Sequence, residues 1–166
     1  MDHRTELIQQ IILFLISHCI GRKAAVNFND FRLNAEDYKE KNGGVIIPNP
    51  NAPTSLGEGT DFVQKILDYN QDSVVIIDEA YVDFGGVSSV PLVKKYENLL
   101  VTGTFSKSRS LAGLRIGFAI GSKMLIDVME AVKNSYNSYT VDSISIEVGS
   151  ASIEDDEYFK STCQKV

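Results

Sequence analysis

A three-layer α/β fold around a mostly parallel sheet is what this 166-residue chain predicts, on three observations. The runs Val45–Ile47, Ser73–Ile77 and Leu99–Thr102 are apolar at successive rather than alternate positions, as strands covered on both faces require. Stretches of helical period lie between them, the pattern of a sheet built by crossover. A polar feature follows each run: a Pro/Asn loop after Ile47, Asp78 after Ile77, and Ser106-Lys107 beyond Thr102. Open α/β sheets bind ligands beyond the carboxyl ends of their strands, so these features converge on one candidate site.

Taken in order, residues 3–18 suit a largely buried helix. Leu7–Ile20 is the one stretch that resembles a targeting signal, but its unbroken apolar part, Ile11–Ile16, is too short to cross a bilayer. Asp2 and Glu6 spoil a basic leader, so the segment reads as a core helix of a cytoplasmic protein. Ala24–Phe28 suits a short strand, and Asn34 can cap a short helix with Asp37 in its first turn. Asn42-Gly43-Gly44 breaks the chain before the strand Val45–Ile47. In Pro48-Asn-Pro-Asn-Ala-Pro53, three prolines in six residues argue against helix and ladder alike and predict a rigid loop. Thr60 or Asp61 opens an amphipathic helix with Phe62, Val63, Ile66 and Leu67 on one side. A short helix near Pro91–Tyr96 leads to Leu99–Thr102. Arg115–Gly121 gives a further strand and Met124–Val132 a helix. Residues 141–153 and 155–165 give two more helices, the last favoured at its start by Asp155-Asp-Glu157.

Composition narrows the function classes. The chain is long enough for one domain with a real core, and 43% hydrophobic and 23% charged residues are ordinary for a soluble protein. A net charge of −6 argues against nucleic acid or an anionic membrane as partner. Two histidines, His3 and His18, leave almost no material for a zinc site or a Ser-His-Asp triad. Cys19 and Cys163 lack metal-type spacing and read as buried or incidental thiols in a reducing compartment. No P-loop or dinucleotide fingerprint follows any strand, which counts against a nucleotide-binding module.

The chemistry-bearing groups lie in two of the post-strand segments. In Thr104-Phe-Ser-Lys-Ser-Arg-Ser-Leu-Ala-Gly-Leu-Arg-Ile-Gly117, an amine at Lys107 has hydroxyls at Thr104 and Ser106 and a guanidinium at Arg115 close by in sequence. Such a site suits a ligand with an aldehyde for the amine and a phosphate for the other groups, as pyridoxal phosphate has. A nucleophilic lysine needs a lowered pKa, which a partly buried, cation-neighboured position supplies; a lone lysine otherwise reads as solvated. Asp78-Glu-Ala-Tyr81 offers a carboxylate that can keep a ring nitrogen protonated and a phenol for a ring oxygen. The same tetrapeptide also suits a turn capped by Asp78 with Tyr81 packed at the rim. Arg109 and Lys123 are assigned to solvent, and Gly113 and Gly117 to tight turning and close backbone approach around Arg115.

These two segments, with Pro48-Asn-Pro-Asn-Ala-Pro-Thr54, resemble the pyridoxal-phosphate aminotransferases of fold type I. Within them the closest likeness is to the histidinol-phosphate aminotransferases, and the threonine-phosphate decarboxylases carry much the same motifs. The resemblance implies that Lys107 bonds the cofactor covalently and then carries a proton between the substrate Cα and the cofactor. It implies Asp78 on the pyridinium nitrogen, Tyr81 on the ring oxygen, and Ser106 and Arg115, aided by Thr104, on the phosphate. It further implies a homodimer that passes an amino group between glutamate and a phosphorylated imidazole keto-alcohol in histidine biosynthesis.

The sequence departs from the family at several points. The family's ring-oxygen asparagine is Ala52 here, leaving Asn51 as a substitute only if the loop turns it inward, and the following glycine is Ser55. Arg4-Thr5-Glu6 stands where the family has a small-residue phosphate turn. There is no room before Asn27 for a further strand and a ring-stacking aromatic. On this reading residues 1–140 are a partial cofactor-binding large domain and 141–166 lead toward an absent small domain. The expectation is a shortened aminotransferase, or a catalytically inactive remnant of one.

Overall fold

The computed structural model describes residues 31–166. The expected helix over 3–18, the strand over 24–28, Arg4-Thr5-Glu6, both histidines and Cys19 lie outside these residues. Four strands, β1 (Val45–Pro48), β2 (Val75–Asp78), β3 (Leu99–Thr104) and β4 (Gly117–Gly121), form one sheet in sequence order. β1, β2 and β3 are parallel, with Ile47 level with Ile77 and Ile77 level with Val101; β4 runs antiparallel to β3.

Helices α1 (Thr60–Tyr69) and α2 (Lys123–Tyr136) make the outer layers, and strand alternation decides which face each one covers. The odd-numbered Val45, Ile47, Val75, Ile77, Leu99 and Val101 form one core with Val63, Ile66 and Leu67 of α1, and Phe62 packs against it. The even-numbered Ile76 and Leu100 meet Leu125 of α2, with Ile46, Ala119, Ile126 and Met129 around them. β1, β2 and β3 are therefore covered on both faces, which is why they read as unbroken apolar runs.

Side chains mark where the elements begin and end. Asn34 caps a four-residue 3₁₀ turn, Ala35–Tyr38, by accepting from the Glu36 N–H at 3.1 Å. Ser122 caps α2, Asp142 caps α3 (Ser143–Glu154) and Asp155 caps α4 (Asp156–Cys163), each accepting from a first-turn amide. The buried Asn70 closes α1 by donating to the carbonyls of Ile66 and Tyr38. The helix expected near Pro91–Tyr96 is a 3₁₀ segment, Val90–Lys94, with Pro91 in its first turn.

Two expectations are corrected. Pro48 is a rung of the ladder, level with Asp78, rather than the start of the loop. Val45 and Asn49 donate to Val74 and Asp78, so by alternation the nitrogen of Pro48 faces away from β2 and its missing N–H breaks no bond there. Arg115 does not open β4, because its backbone is left-handed (φ 56°, ψ 40°) and cannot continue an extended strand. Close approach to β3 is needed instead at Gly103, where a Cβ would lie 2.3 Å from the Phe118 ring.

Leu67 is fully buried and Met124 is 61% exposed. Urea unfolding followed by circular dichroism should show Leu67→Ala costing about 2–5 kcal/mol and Met124→Ala within about 0.5 kcal/mol of the parent.

Candidate functional site

The carboxyl ends of β1, β2 and β3 bring the three motifs to one edge of the sheet. After β1, the buried Asn49 clamps its loop: its Oδ1 accepts from the Glu58 N–H at 2.7 Å and its amide donates to the Glu58 carbonyl at 3.0 Å. The Asn49–Pro50 and Ala52–Pro53 peptides are cis. Asn51 does not turn inward; its amide donates to the Thr54 hydroxyl at 2.8 Å within the loop. Pro50 is pressed against Gly86, where a Cβ would meet it at 2.9 Å, so this loop packs on the segment after β2.

Asp78 ends β2, half-buried. Loss of water around it pushes its carboxyl above the usual range, and a bond from the Ala80 N–H at 3.1 Å pulls it back only in part. The turn-capping role and a ligand role are thus compatible, because one carboxylate has oxygens for both. Glu79, buried, fixes the return of the chain by accepting from the Ser89 N–H at 2.5 Å and the Ser88 hydroxyl at 2.7 Å. Tyr81 precedes a 3₁₀ turn, Val82–Phe84, and is half-buried at the rim.

Beyond β3, the Thr104 hydroxyl lies 2.9 Å from Ser106 Oγ and 3.2 Å from the Ile116 carbonyl, and accepts from the Ser106 N–H at 3.1 Å. It therefore shapes the turn leading to Lys107. Lys107 is exposed, as a lone lysine reads, rather than in the partly buried position that would favour a nucleophile, and its Nζ stands 5.3 Å from the centre of the Tyr81 ring. The amine and the phenol motif come together although they lie far apart in the chain. Arg115 donates from Nη1 to the Ala112 carbonyl at 2.6 Å. A bulky residue in left-handed backbone is strained by on the order of 1–3 kcal/mol, the kind of strain that collects at binding sites.

Other assignments change. Arg109 is not a solvent residue: its guanidinium stacks 4.0 Å from the Phe159 ring and donates to the Ser152 carbonyl, tying the lysine loop to α3 and α4. Lys123 is exposed and paired with Asp127 at 2.6 Å, as expected of a solvated residue. Gly113 has nothing near its Cβ position, and left-handed backbone falls on Ser110 and Arg115 instead. Cys163 is a half-buried free thiol, raised by burial and by the Asp83 charge and opposed by Arg109. Sequence reading missed Asn49, Glu79, Ser108 and Asp83. The buried Ser108 donates to the Asp83 carboxylate at 2.5 Å, and nothing local signals a partner that distant in sequence. Among the described residues no His, Cys, Asp and Glu group could hold a metal ion, and no helix is long and apolar enough to cross a membrane.

Comparison with known proteins gives the family and the fold. Residues 18–165 match the family "Aminotransferase class I and II". Histidinol-phosphate aminotransferase of Clostridium acetobutylicum is 57% identical over 137 residues, 82% of this chain and 39% of that protein. Histidinol-phosphate aminotransferase 1 of Hydrogenovibrio crunogenus is 54% identical over 138 residues, 83% of this chain and 39% of that protein. The chain thus spans about two-fifths of the length of these relatives. The structure of histidinol-phosphate aminotransferase from Sinorhizobium meliloti in complex with pyridoxal-5'-phosphate superposes with a TM-score of 0.60 at 22% identity, over 75% of this chain and 34% of that one.

The desolvated Asp78 makes stability depend on pH. Its folded-state value lies above its unfolded one, so the folded chain binds more protons in that window and stability falls as pH rises through it. Asp78→Asn should therefore match the parent in acid and become the more stable of the two toward about pH 7, as read by urea unfolding across the range.

Proposed function

This chain belongs to the class I and II aminotransferases, and from that premise we propose that it holds pyridoxal 5'-phosphate and serves amino transfer between histidinol phosphate and 2-oxoglutarate. The observation that carries the reading is Asp78: a carboxylate taken out of water at the end of a central strand, with one backbone donor easing its charge. Such a group gains most from a cationic N–H, and a protonated pyridine nitrogen is one. The other residues fit the same ligand. Lys107 and Tyr81 supply an amine and a phenol side by side, and Ser106 and Arg115 supply the donors that a phosphate dianion takes. The level of identity to histidinol-phosphate aminotransferases supports the choice of substrate pair.

When bound, the cofactor supplies an aldehyde for covalent attachment and a ring that accepts electrons from a bond breaking at the substrate's α-carbon. The chain's own groups set the conditions. Asp78 keeps positive charge on the ring nitrogen by pairing with it. Tyr81 donates to the ring oxygen and flanks the amine. Lys107 would hold the cofactor through Nζ, an amine that must be unprotonated to bond, and would hold and return a proton at that atom during turnover. Arg115 and Ser106 anchor the phosphate and so fix the distance from ring to amine. The reading includes a cytoplasmic homodimer. The exposed Met124 and Val128 of α2 and Ile144 and Ile146 of α3 are apolar side chains of the kind that a partner covers.

A second reading, binding without turnover, is favoured by Ala52 and by the commitment of the Asn51 amide to Thr54, which together leave the first motif without a donor for the ring oxygen.

The purified chain given pyridoxal phosphate should gain a visible absorption band that borohydride bleaches, with one pyridoxyl adduct on Lys107 by mass spectrometry and none in Lys107→Ala. A well-folded parent without band or adduct would refute the cofactor reading. Adding glutamate separates the two readings: the band shifts if the chain transfers the amino group and stays if it only binds.

A further inference from the structure

Lys107 is exposed and its long side chain has four rotatable bonds, so nothing in the lysine itself holds its amine in one place. What is fixed is the backbone on either side. Ahead of it, the Ser106 N–H donates to Thr104 Oγ1 at 3.1 Å; behind it, the Lys107 carbonyl accepts from the Ser110 N–H at 3.0 Å. These bonds are local to the loop and set its shape, not its placement over the neighbouring segment. Placement comes from the next residue. Ser108, 4% exposed, donates from Oγ to Asp83 Oδ2 at 2.5 Å, the short geometry of a hydroxyl on a charged acceptor.

Asp83 lies two residues beyond Tyr81 in the same short turn. Two consecutive residues of the lysine loop therefore meet two positions of the tyrosine turn, Lys107 over the Tyr81 ring and Ser108 on Asp83. Two attachments side by side prevent the loops from sliding or rotating past each other; one alone would not. Arg109 holds the far side of the loop against Phe159 and the Ser152 carbonyl.

We propose that Ser108 and Asp83 act as a positioning pair whose hydrogen bond places the Lys107 amine over Tyr81, where the cofactor aldehyde is to be met. The inference rests on the cofactor reading above for its purpose, but the placement itself is a property of the protein without ligand. Ser108 is buried with its hydroxyl committed to Asp83, so it works through the loop backbone. Asp83 is exposed, so loss of its partner returns the carboxylate to water and leaves no buried charge to unfold the chain.

The test is trace labelling of lysines with acetic anhydride on the full chain without cofactor, read peptide by peptide, with Lys123 as internal reference. Ser108→Ala and Asp83→Ala should each raise Lys107 labelling relative to Lys123 by roughly two- to five-fold, the loss of a weak amine–ring contact. Their combination should add nothing further, and Ser108→Thr, which keeps the hydroxyl, should restore the parent value. In a second arm, borohydride trapping at Lys107 should need roughly ten-fold more pyridoxal phosphate in Ser108→Ala than in the parent. Labelling unchanged in Ser108→Ala, raised there but not in Asp83→Ala, or not restored by Ser108→Thr, each overturns the proposal. A parent chain that traps no cofactor overturns the cofactor reading instead, and the labelling arm still decides whether the pair positions the amine.

Discussion

Three strands running in one direction at one register are what the remainder of this structure hangs on. Because Pro48, Asp78 and Thr102 lie on one level across β1, β2 and β3, the chain leaves the sheet three times at the same edge. Parallel pairing obliges each return crossing to pack on a sheet face, so the strands are buried on both sides and must be apolar throughout. At their carboxyl ends that apolar run has to stop, and whatever polar residue comes next is delivered to a shared, half-dry rim. Asp78 feels this most: the burial that satisfies Ile76 and Ile77 is the same burial that strips water from its carboxylate.

The rim is then kept in shape by hydrogen bonds within the exits and by contacts between them. Asn49 closes the first loop onto Glu58, Pro50 sits against Gly86 of the second, Glu79 gathers Ser88 and Ser89, and Ser108 reaches back to Asp83. The bonds of Asn49 with Glu58 and of Glu79 with Ser89 use a backbone group on one side, so they survive much change in neighbouring side chains. Each hydrogen bond is modest alone, about 0.5–3 kcal/mol net, but together they hold loops that contribute few apolar contacts of their own. Arg115 in left-handed backbone is a local cost that such a frame can sustain.

How much of this the sequence revealed follows from the range of each interaction. The strands, α1, the cap at Asn34, the acidic start of α4 and the convergence of three polar exits were legible, because apolar runs, periodicity, capping and helix-end charge are local signals. That Lys107 and Tyr81 meet followed from the parallel topology. The fate of Arg109 was not legible: its partners, Ser152 and Phe159, stand in helices far along the chain, and only folding brings a guanidinium onto that ring. Whether Lys107 is solvated or partly buried was left open for a related reason, since Val101 and Thr102 inside the sheet say nothing of how far the chain travels before the amine. Pro48 was misjudged because proline forbids a ladder only where its nitrogen faces a neighbour, and that orientation is set by register.

The stacking of Arg109 on Phe159 has an evolutionary consequence. A lineage that exchanges the ring for an aliphatic side chain loosens the loop two residues from the amine, and one that exchanges the arginine strands an aromatic at the surface. Neither position is free to drift by itself, so descendants of this sequence should alter the two in concert or keep both, although no reading of either neighbourhood in isolation would couple them.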